Sequence, residues 1–330
     1  MSFARAHLFF SLGLLLWTGG PAVAAEQLGR ARLGERRLAI RVAAMPAHNN
    51  SHGNIFGGWL LSQMDQAANL TAKRWAGGRV ATVAMDEMTF KKPVRQGQKL
   101  SLYTTIERVG RSSMTIKVEA FKRDPNAGVD EKVTEGTFTL VALNLFGRPR
   151  PAPLADGEGN PRRGLLDRLL AYVHRPRVGA AERRARAERE ARERANPPLL
   201  PAAEPAVHLP VTAQDVDARG KALGGWILSQ MDLAAGGVAQ SRAGGRAVTV
   251  GVTGMSFEHP VRVEDEVSLF SKVVKTGSTS LTVDVEAWRT TPGKSRPVRV
   301  TKGTFTFVAV DEHGAKRALP AEASLPSPAE

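Results

Sequence analysis

The sequence of 330 residues contains no cysteine. This absence excludes disulfides, thiolate metal sites, iron–sulfur clusters and cysteine nucleophiles. Beyond the first 24 residues, no stretch approaches the run of about 18 apolar residues that a membrane-spanning helix needs. No recognisable DNA-reading or RNA-reading motif accompanies the basic residues either, so the sequence predicts no nucleic-acid partner.

The length is that of two domains of about 150 residues each. Apolar residues make up 42% of the chain and charged residues 24%, a composition typical of globular proteins. The net charge of +14 can attract phosphates, anionic cofactors or acidic lipid, but it does not determine the fold. Thirteen arginines lie between Arg148 and Arg194, so much of this charge is concentrated in one segment.

The first 24 residues have the layout of a secretory signal peptide. A short basic start precedes the apolar run Leu8–Trp17, and the small residues Ala22-Val23-Ala24 follow it. The run is too short to span a bilayer. An uncleaved anchor and a start codon placed too early in a cytoplasmic protein are the alternative interpretations. We place a leader at residues 1–37.

A segment rich in proline and arginine, residues 148–206, forms a predicted linker. Residues 180–195 within it alternate arginine with glutamate and alanine at helical spacing, which predicts a solvated spacer helix. A surface that touches anionic lipid or RNA is the alternative. The linker separates domains predicted at residues 38–147 and 207–320, and residues 321–330 form a tail.

An internal repeat organises the rest of the sequence. Residues 52–65 read HGNIFGGWLLSQMD, and residues 219–232 read RGKALGGWILSQMD. The same offset of 167 positions that relates Trp59 to Trp226 leaves about 40 of the 91 positions from Gly53 to Leu143 identical in the second copy. The chain is therefore a tandem duplication of one domain.

Each copy combines one helix with several strands. In the first copy, apolar residues recur at helical spacing from Gly57 to the pair Gly77-Gly78, which predicts a helix of about five turns. Later segments alternate apolar and polar residues, as strands with one buried face do. The predicted inward residues are Leu100, Leu102, Thr104, Ile106, Met114, Ile116, Val118, Ala120, Phe138, Leu140 and Ala142. An antiparallel sheet wrapped around one apolar helix gives an α+β fold.

The order of a strand, a helix that begins at a Gly-Gly pair and a meander of strands resembles the hotdog fold. GGWLLSQMD followed by ATVAMDEMTFKKPV resembles the YciA-type bacterial acyl-CoA thioesterases, and GGWILSQMD with VTVGVTGMSFEHPV resembles them equally. Two copies in one chain resemble the double-hotdog arrangement of the cytosolic long-chain acyl-CoA thioester hydrolases. The resemblance covers about residues 38–147 and 207–320 and implies two tandem hotdog domains.

Two features suit the attack of water on a thioester. A helix that starts with small residues presents backbone N–H groups and its positive end to a developing oxyanion. The candidates for this role are Gly57, Gly58, Gly224 and Gly225. A tight turn into the helix, which only glycine permits, is their alternative role.

Acyl transfer also needs a carboxylate, as a general base or as a nucleophile. Asp65 and Asp232 lie two turns inside otherwise apolar helices, where an isolated carboxylate is costly unless it is paired or functional. A structural carboxylate bonded to a Ser or Thr of a neighbouring strand is the alternative.

The resemblance to the double-hotdog hydrolases implies a composite site, in which an asparagine of one half works with the helix aspartate of the other. Asn50 lies fifteen residues before Asp65, and Asp217 lies fifteen residues before Asp232. Asn50 with Asp232 is therefore the predicted catalytic pair. Asp217 with Asp65 forms a second candidate pair, which is degenerate in one interpretation.

The sequence departs from the single-copy pattern directly after the glycine of the G-D-I-F-G-G string, where YciA-type enzymes carry an aspartate. Asn54 stands there in the first copy and Lys221 in the second. Asn54 can orient a water or a carbonyl but cannot act as a base. Lys221 either binds phosphate or is a surface replacement after loss of function. These replacements leave the composite pair as the preferred arrangement.

Coenzyme A carries three phosphates, so basic residues near the seam between the domains are candidates for binding it. The predicted CoA-binding residues are Lys91, Lys92, Arg95, Arg262, Ser112 and Ser113. Ordinary surface charge for the basic residues and strand-edge capping for the serines are the alternatives. No metal and no cofactor are predicted, because coenzyme A is part of the substrate.

The predicted function is hydrolysis of fatty acyl-CoA to a free fatty acid and CoA. A non-catalytic acyl-CoA binding or sensing protein is the alternative, since Asn54 and Lys221 replace the expected acids. Hydration of an enoyl thioester is disfavoured because neither helix contains histidine.

The substrate favours the cytoplasm over the periplasm or a membrane anchor, and membrane contact is expected only through residues 1–24. The resemblance also implies a homo-oligomer, with a trimer of double hotdogs as the family expectation.

Overall fold

The computed structural model describes residues 32–46, 55–123, 130–153, 200–294 and 296–320. Most of the predicted leader, residues 47–54 with Asn50 and Asn54, residues 154–199 of the linker with the predicted spacer helix, and the tail at 321–330 lie outside these residues. Within the described part of the chain, no helix is both long enough and apolar enough to cross a membrane.

Each repeat contains one helix and a set of antiparallel strands, as the periodicity predicts. The first repeat consists of β1 (Arg36–Ala43), α1 (Gly57–Ala76), β2 (Val80–Met85), β3 (Met88–Thr89), β4 (Lys99–Val109), β5 (Ser113–Arg123) and β6 (Asp130–Ala142). The second consists of β7 (Val207–Pro210), α2 (Gly224–Ala243), β8 (Ala247–Val252), β9 (Met255–Ser256), β10 (Glu266–Thr276), β11 (Ser280–Thr290) and β12 (Val298–Ala309). The predicted α+β class is confirmed.

Both helices end at the glycine that the sequence marks as a stop. Gly77 (φ 59°) and Gly244 (φ 60°) adopt the left-handed conformation, which glycine reaches without steric cost. Their backbone N–H groups bond to carbonyls of the last helical turn. Burial of the apolar faces, rather than helix propensity, supplies most of the stability of such helices.

The strands form two six-stranded antiparallel sheets, and each sheet takes an edge strand from the other repeat. The orders are β1-β4-β5-β6-β2-β9 and β3-β8-β12-β11-β10-β7. Ala84 of β2 pairs with Ser256 of β9, and Met88 of β3 pairs with Val252 of β8. The two repeats are therefore joined by exchanged strands.

The exchanged strands also tie the two repeats together by packing. A Cβ atom at Gly136 of β6 would collide with Met88, and one at Gly303 of β12 would collide with Met255. Each exchanged strand thus bonds to the other repeat through its backbone while its methionine packs on its own repeat.

The two helices lie against each other across the seam, each on the inner face of its own sheet. Helix α1 packs on β4, β5 and β6, and α2 packs on β10, β11 and β12. The predicted inward residues Met114, Ile116, Val118, Ala120, Phe138, Leu140 and Ala142 are all fully buried. This packing brings the start of each helix beside the middle of the other.

Candidate active site

The aspartate of α2 meets the first turn of α1. Asp232 is 3% exposed, and its Oδ2 accepts a hydrogen bond from the backbone N–H of Gly58 at 2.7 Å. Its Oδ1 accepts a second one from the hydroxyl of Thr249 on β8 at 2.8 Å. A carboxylate of the second repeat therefore lies at the positive end of a helix of the first repeat.

The aspartate of α1 meets the first turn of α2 in the same way. Asp65 is fully buried, and its Oδ2 accepts a hydrogen bond from the backbone N–H of Gly225 at 2.8 Å. Its Oδ1 accepts one from the hydroxyl of Thr82 on β2 at 2.6 Å. The side-chain amide of Asn69 adds contacts of 3.3 Å to Oδ2 and 2.9 Å to the Thr82 hydroxyl.

Glycine is required at both helix starts because the two helices approach each other closely there. A Cβ atom at Gly58 would lie 2.8 Å from the Cβ of Asp232, and one at Gly225 would lie 2.8 Å from the Cα of Ser62. Gly57, Gly58, Gly224 and Gly225 all lie outside the positive-φ region. The turn into each helix therefore does not by itself require glycine, whereas the packing does.

Neither helix start carries a cap of its own. The N-cap residues Phe56 and Leu223 make no side-chain capping hydrogen bond, and neither first turn contains an acidic residue. Uncapped helix starts leave backbone N–H groups that seek an acceptor. The aspartate of the opposite helix supplies one such acceptor at each start.

Burial raises the pKa of both carboxyl groups, because the charged form is poorly solvated at the seam. The pKa of Asp232 rises to about 6, although the hydrogen bonds from Thr249 and Gly58 oppose the rise. The pKa of Asp65 is also raised by burial, against hydrogen bonds from Thr82, Gly225 and Asn69 and the charge of Lys73. A carboxylate with a pKa near 6 is mostly ionised at neutral pH and basic enough to take a proton from water.

The two sites differ at one position close to the carboxylate. Asn69 contacts Asp65, but the equivalent residue one repeat later is Gly236. A Cβ atom at Gly236 would meet only the ring edge of Phe307, at 3.7 Å. Asp232 therefore has two hydrogen-bond donors among the described residues, where Asp65 has three.

The other predicted catalytic residues precede the two helices in the sequence. Asn50 and Asn54 lie outside the described residues. Asp217 lies in the loop before α2, where its Oδ1 accepts hydrogen bonds from the backbone N–H groups of Arg219 at 2.9 Å and Lys221 at 3.2 Å. Its carboxylate thus holds the turn that leads into the helix.

The predicted CoA-binding residues lie in several separate places. Lys91 and Lys92 lie 3.7 Å from Glu135 and 3.0 Å from Glu131 in exposed ion pairs. Arg95 is exposed. The backbone carbonyl of Ser113 accepts a hydrogen bond from the N–H of Gly110 across the turn between β4 and β5, and that of Ser112 accepts one from the N–H of Ala142 at the end of β6. Arg262 forms a backbone bridge with Lys221.

Three residues at the carboxylates were not among the predicted site residues. Thr82 and Thr249 occupy equivalent positions of the repeat, and a threonine partner for the aspartate was foreseen only as a general alternative. Asn69 has no counterpart in the second copy, and comparison of the two aligned copies could have indicated it.

Among the described residues, no group of three or more His, Asp or Glu side chains is placed to hold a metal ion. The absence of a cofactor stays a prediction.

Known proteins that match the chain agree with this architecture. The family described as Thioesterase superfamily matches residues 52–129 and 220–295, once in each repeat. The chain is 41% identical over 120 residues to the acyl-CoA thioester hydrolase YciA of Salmonella typhimurium, a match that covers 36% of this chain and 90% of that protein. The chain belongs to the thioesterase superfamily. The predicted resemblance to YciA-type thioesterases is confirmed.

Solved thioesterase structures match as well. The hexameric thioesterase y2039 of Yersinia pestis is 44% identical, with a TM-score of 0.35 over 36% of this chain and 96% of that one. An acyl-ACP thioesterase of Bacteroides thetaiotaomicron is 16% identical, with a TM-score of 0.50 over 81% of this chain and 96% of that one. The latter shows the fold alone. The predicted pair of hotdog domains in this thioesterase superfamily member is confirmed.

Proposed function

We propose that this chain hydrolyses fatty acyl-CoA to a free fatty acid and CoA, at a composite site formed by Asp232 and the helix start at Gly57-Gly58. The observation that carries the proposal is the 2.7 Å hydrogen bond from the Gly58 N–H to Asp232, which joins a carboxylate and a helix start from different repeats. The match to an acyl-CoA thioester hydrolase supports the substrate class.

The reaction needs a base and a site for negative charge. Asp232 takes a proton from water, and the resulting hydroxide attacks the thioester carbonyl carbon. The positive end of α1 stabilises the carbonyl oxygen as it becomes an anion. The intermediate collapses with cleavage of the carbon–sulfur bond, and the CoA thiolate recovers the proton from Asp232.

Two observations favour Asp232 over Asp65 as the base. Gly236 stands where Asn69 contacts Asp65, so no side-chain amide at this position competes with water for Asp232. Asp232 also keeps more free acceptor capacity, because it has fewer donors around it. Asn50 is proposed as its partner from the resemblance alone, in the role of orienting the water or the thioester carbonyl.

Release of free CoA from palmitoyl-CoA, followed with a thiol-trapping reagent, tests the activity. The protein itself contributes no signal because it contains no cysteine. We expect thiol release by the wild-type chain and its loss in the Asp232→Asn variant. A wild-type chain that binds palmitoyl-CoA but releases no thiol would be the acyl-CoA binding protein of the alternative hypothesis.

The assembly is also part of the proposal. The Yersinia pestis neighbour is hexameric. Because one chain of this protein carries two hotdog domains, at the proposed bounds 38–147 and 207–320, we propose that three chains form the equivalent assembly. Light scattering coupled to size exclusion should then give three times the chain mass of 35.5 kDa. A monomeric mass would contradict the trimer.

The proposed substrate indicates the cellular compartment in which the protein acts. We propose that the protein acts in the cytoplasm, where acyl-CoA is made and used. N-terminal sequencing of the native protein in cell fractions tests this. Removal of residues 1–24 together with recovery from the periplasm would contradict it.

A further inference from the structure

Four basic side chains gather at one end of the seam. Arg79 follows α1, and Arg219, Lys221 and Arg262 belong to the loops that frame the start of α2. The guanidinium groups of Arg79 and Arg219 both donate to the backbone carbonyl of Leu145, at 3.2 Å and 3.3 Å. Lys221 and Arg262 are held side by side by an antiparallel backbone bridge.

The positive charge of this cluster is poorly balanced. Two neighbouring carboxylates accept hydrogen bonds from backbone N–H groups of the cluster, Asp217 from Arg219 and Lys221 and Asp265 from Arg262. Among the described residues, none of the four cations makes an ion pair. Burial lowers the pKa of Lys221, the charge of Asp217 raises it, and the charges of Arg79 and Arg262 lower it again. The four groups therefore share one electrostatic environment.

We propose that Arg79, Arg219, Lys221 and Arg262 form a binding site for the phosphate groups of a nucleotide, as found at the nucleotide end of coenzyme A. The inference rests on the proposed function for the identity of this ligand, but not for the anion site itself. Guanidinium and ammonium groups bind phosphate oxygens through charge-assisted hydrogen bonds. An anion would also relieve the repulsion among the four cations.

The turn that anchors two of these arginines offers a surface for the base of a nucleotide. Phe146 directly follows Leu145 and is 88% exposed. An exposed aromatic ring beside arginines can stack with a purine. The equivalent residue in the second repeat is His313.

In the sequence, the equivalent positions of the other repeat lack this composition. The residues at the equivalent positions are Arg246, His52, Asn54 and Arg95, so one arginine and the lysine are replaced by less basic residues. Arg246 donates to the backbone carbonyl of Glu312, whose side chain adds a negative charge where the first repeat has Leu145. By sequence, the set of four cations therefore belongs to the start of α2 and is not repeated at the equivalent positions of the other repeat.

Binding measurements with the full chain test the proposal. The double variant Arg219→His/Lys221→Asn replaces two of the cations with the residues found at the equivalent positions of the first repeat. We expect calorimetry with CoA to show one binding event weakened by at least about tenfold, since the variant removes two charged donors to phosphate oxygens. The dependence of CoA affinity on salt should also become shallower.

Matched controls separate the anion site from general electrostatics. Arg246→Ala removes one cation at the other end and should leave the sensitive binding event unchanged. The single variant Lys221→Asn repeats the test if the double variant has a lowered melting temperature. Unchanged CoA affinity and salt dependence in a folded Lys221→Asn or double variant would overturn the proposal.

Comparing CoA with dephospho-CoA and ADP as ligands identifies which phosphate group of CoA is bound. If the 3′-phosphate is held, the difference between wild type and variant disappears with dephospho-CoA. If the diphosphate is held, the difference persists with dephospho-CoA and appears with ADP. Either result supports the site, whereas competition by inorganic phosphate with no preference for CoA, dephospho-CoA or ADP contradicts a nucleotide ligand. Because these are binding measurements, the site stands or falls separately from thiol release.

Discussion

The two crossed carboxylates show how a duplication separates two sites that began as equivalents. Asp232 and Asp65 share a threonine donor, a glycine N–H donor from the other repeat and nearly complete burial. They differ because Asn69 contacts Asp65, whereas the equivalent Gly236 has no side chain that could bond to Asp232. In a symmetric dimer one substitution changes both sites, but in a fused chain each site can change alone.

The largest expected effect comes from removing each carboxylate in turn. Asp232→Asn should lower kcat for palmitoyl-CoA by on the order of 10³-fold, the size typical of a lost general base. Asp65→Asn should lower it by less than about tenfold, because Asp65 is predicted to serve the weaker site. Initial rates of thiol release at saturating substrate measure both, with circular dichroism to check the fold. Equal losses in the two variants would contradict the asymmetry.

Exchanging the residues at positions 69 and 236 tests what makes the two sites differ. Gly236→Asn should place a new amide beside Asp232 and lower kcat by about tenfold, comparable to adding a competing hydrogen bond. Gly236→Ala is the matched control, because a Cβ atom has room there and carries no amide. Asn69→Gly should raise the residual activity of the Asp232→Asn variant. If the amide and the methyl group have the same effect on kcat, crowding and not hydrogen bonding separates the sites.

The pH dependence sharpens the comparison further. Since the pKa of Asp232 is raised to about 6, its carboxyl group is protonated and unable to accept a proton below that pH. We expect kcat/KM to fall by about tenfold per pH unit below 6 and to level off above it. The inflection should be absent from the residual activity of Asp232→Asn. A profile with no inflection between pH 4 and about 7 would remove Asp232 from the role of base.

The raised pKa of Asp232 makes the stability of the fold change with pH in the opposite direction from the activity. The protonated carboxyl of Asp232 is favoured in the folded state, so its contribution to the free energy of unfolding is full below pH 4 and is lost as pH rises through about 6. Activity therefore increases over the pH range in which this group ceases to stabilise the fold.

The smallest expected effect comes from hydroxyl groups between each helix and its own sheet. The hydroxyl groups of Thr71 and Thr104 bond to each other at 2.8 Å, while the equivalent residues of the second repeat are Val238 and Ser271. The buried Ser271 hydroxyl has no hydrogen-bond partner among the described residues. Ser271→Ala should raise the free energy of unfolding by about 1 kcal/mol, and Thr71→Val should lower it by about 1–2 kcal/mol. Urea denaturation measures both, and destabilisation by Ser271→Ala would contradict the assignment.

Much of the fold could be predicted because its signals are local and repeated. The glycines that end both helices, the alternation along β4 to β6 and the apolar helix stripes with one acid each can be seen in the sequence. The exchanged strands β3 and β9 could not be predicted in this way, since two residues carry no periodicity. Of the proposed anion cluster, Arg262 and Lys221 were candidates from the sequence, but Arg79 and Arg219, which are 140 positions apart and meet at the Leu145 carbonyl, were not.

The sequence by itself determined that the chain is a duplicated α+β protein with an acid on each helix, because periodicity, glycine stops and self-similarity are properties of the chain order. Only the tertiary structure decided which groups those acids meet. The helices α1 and α2 can approach each other this closely because the glycines at their starts have no side chain. That packing brings together a carboxylate and a helix start that lie 174 positions apart.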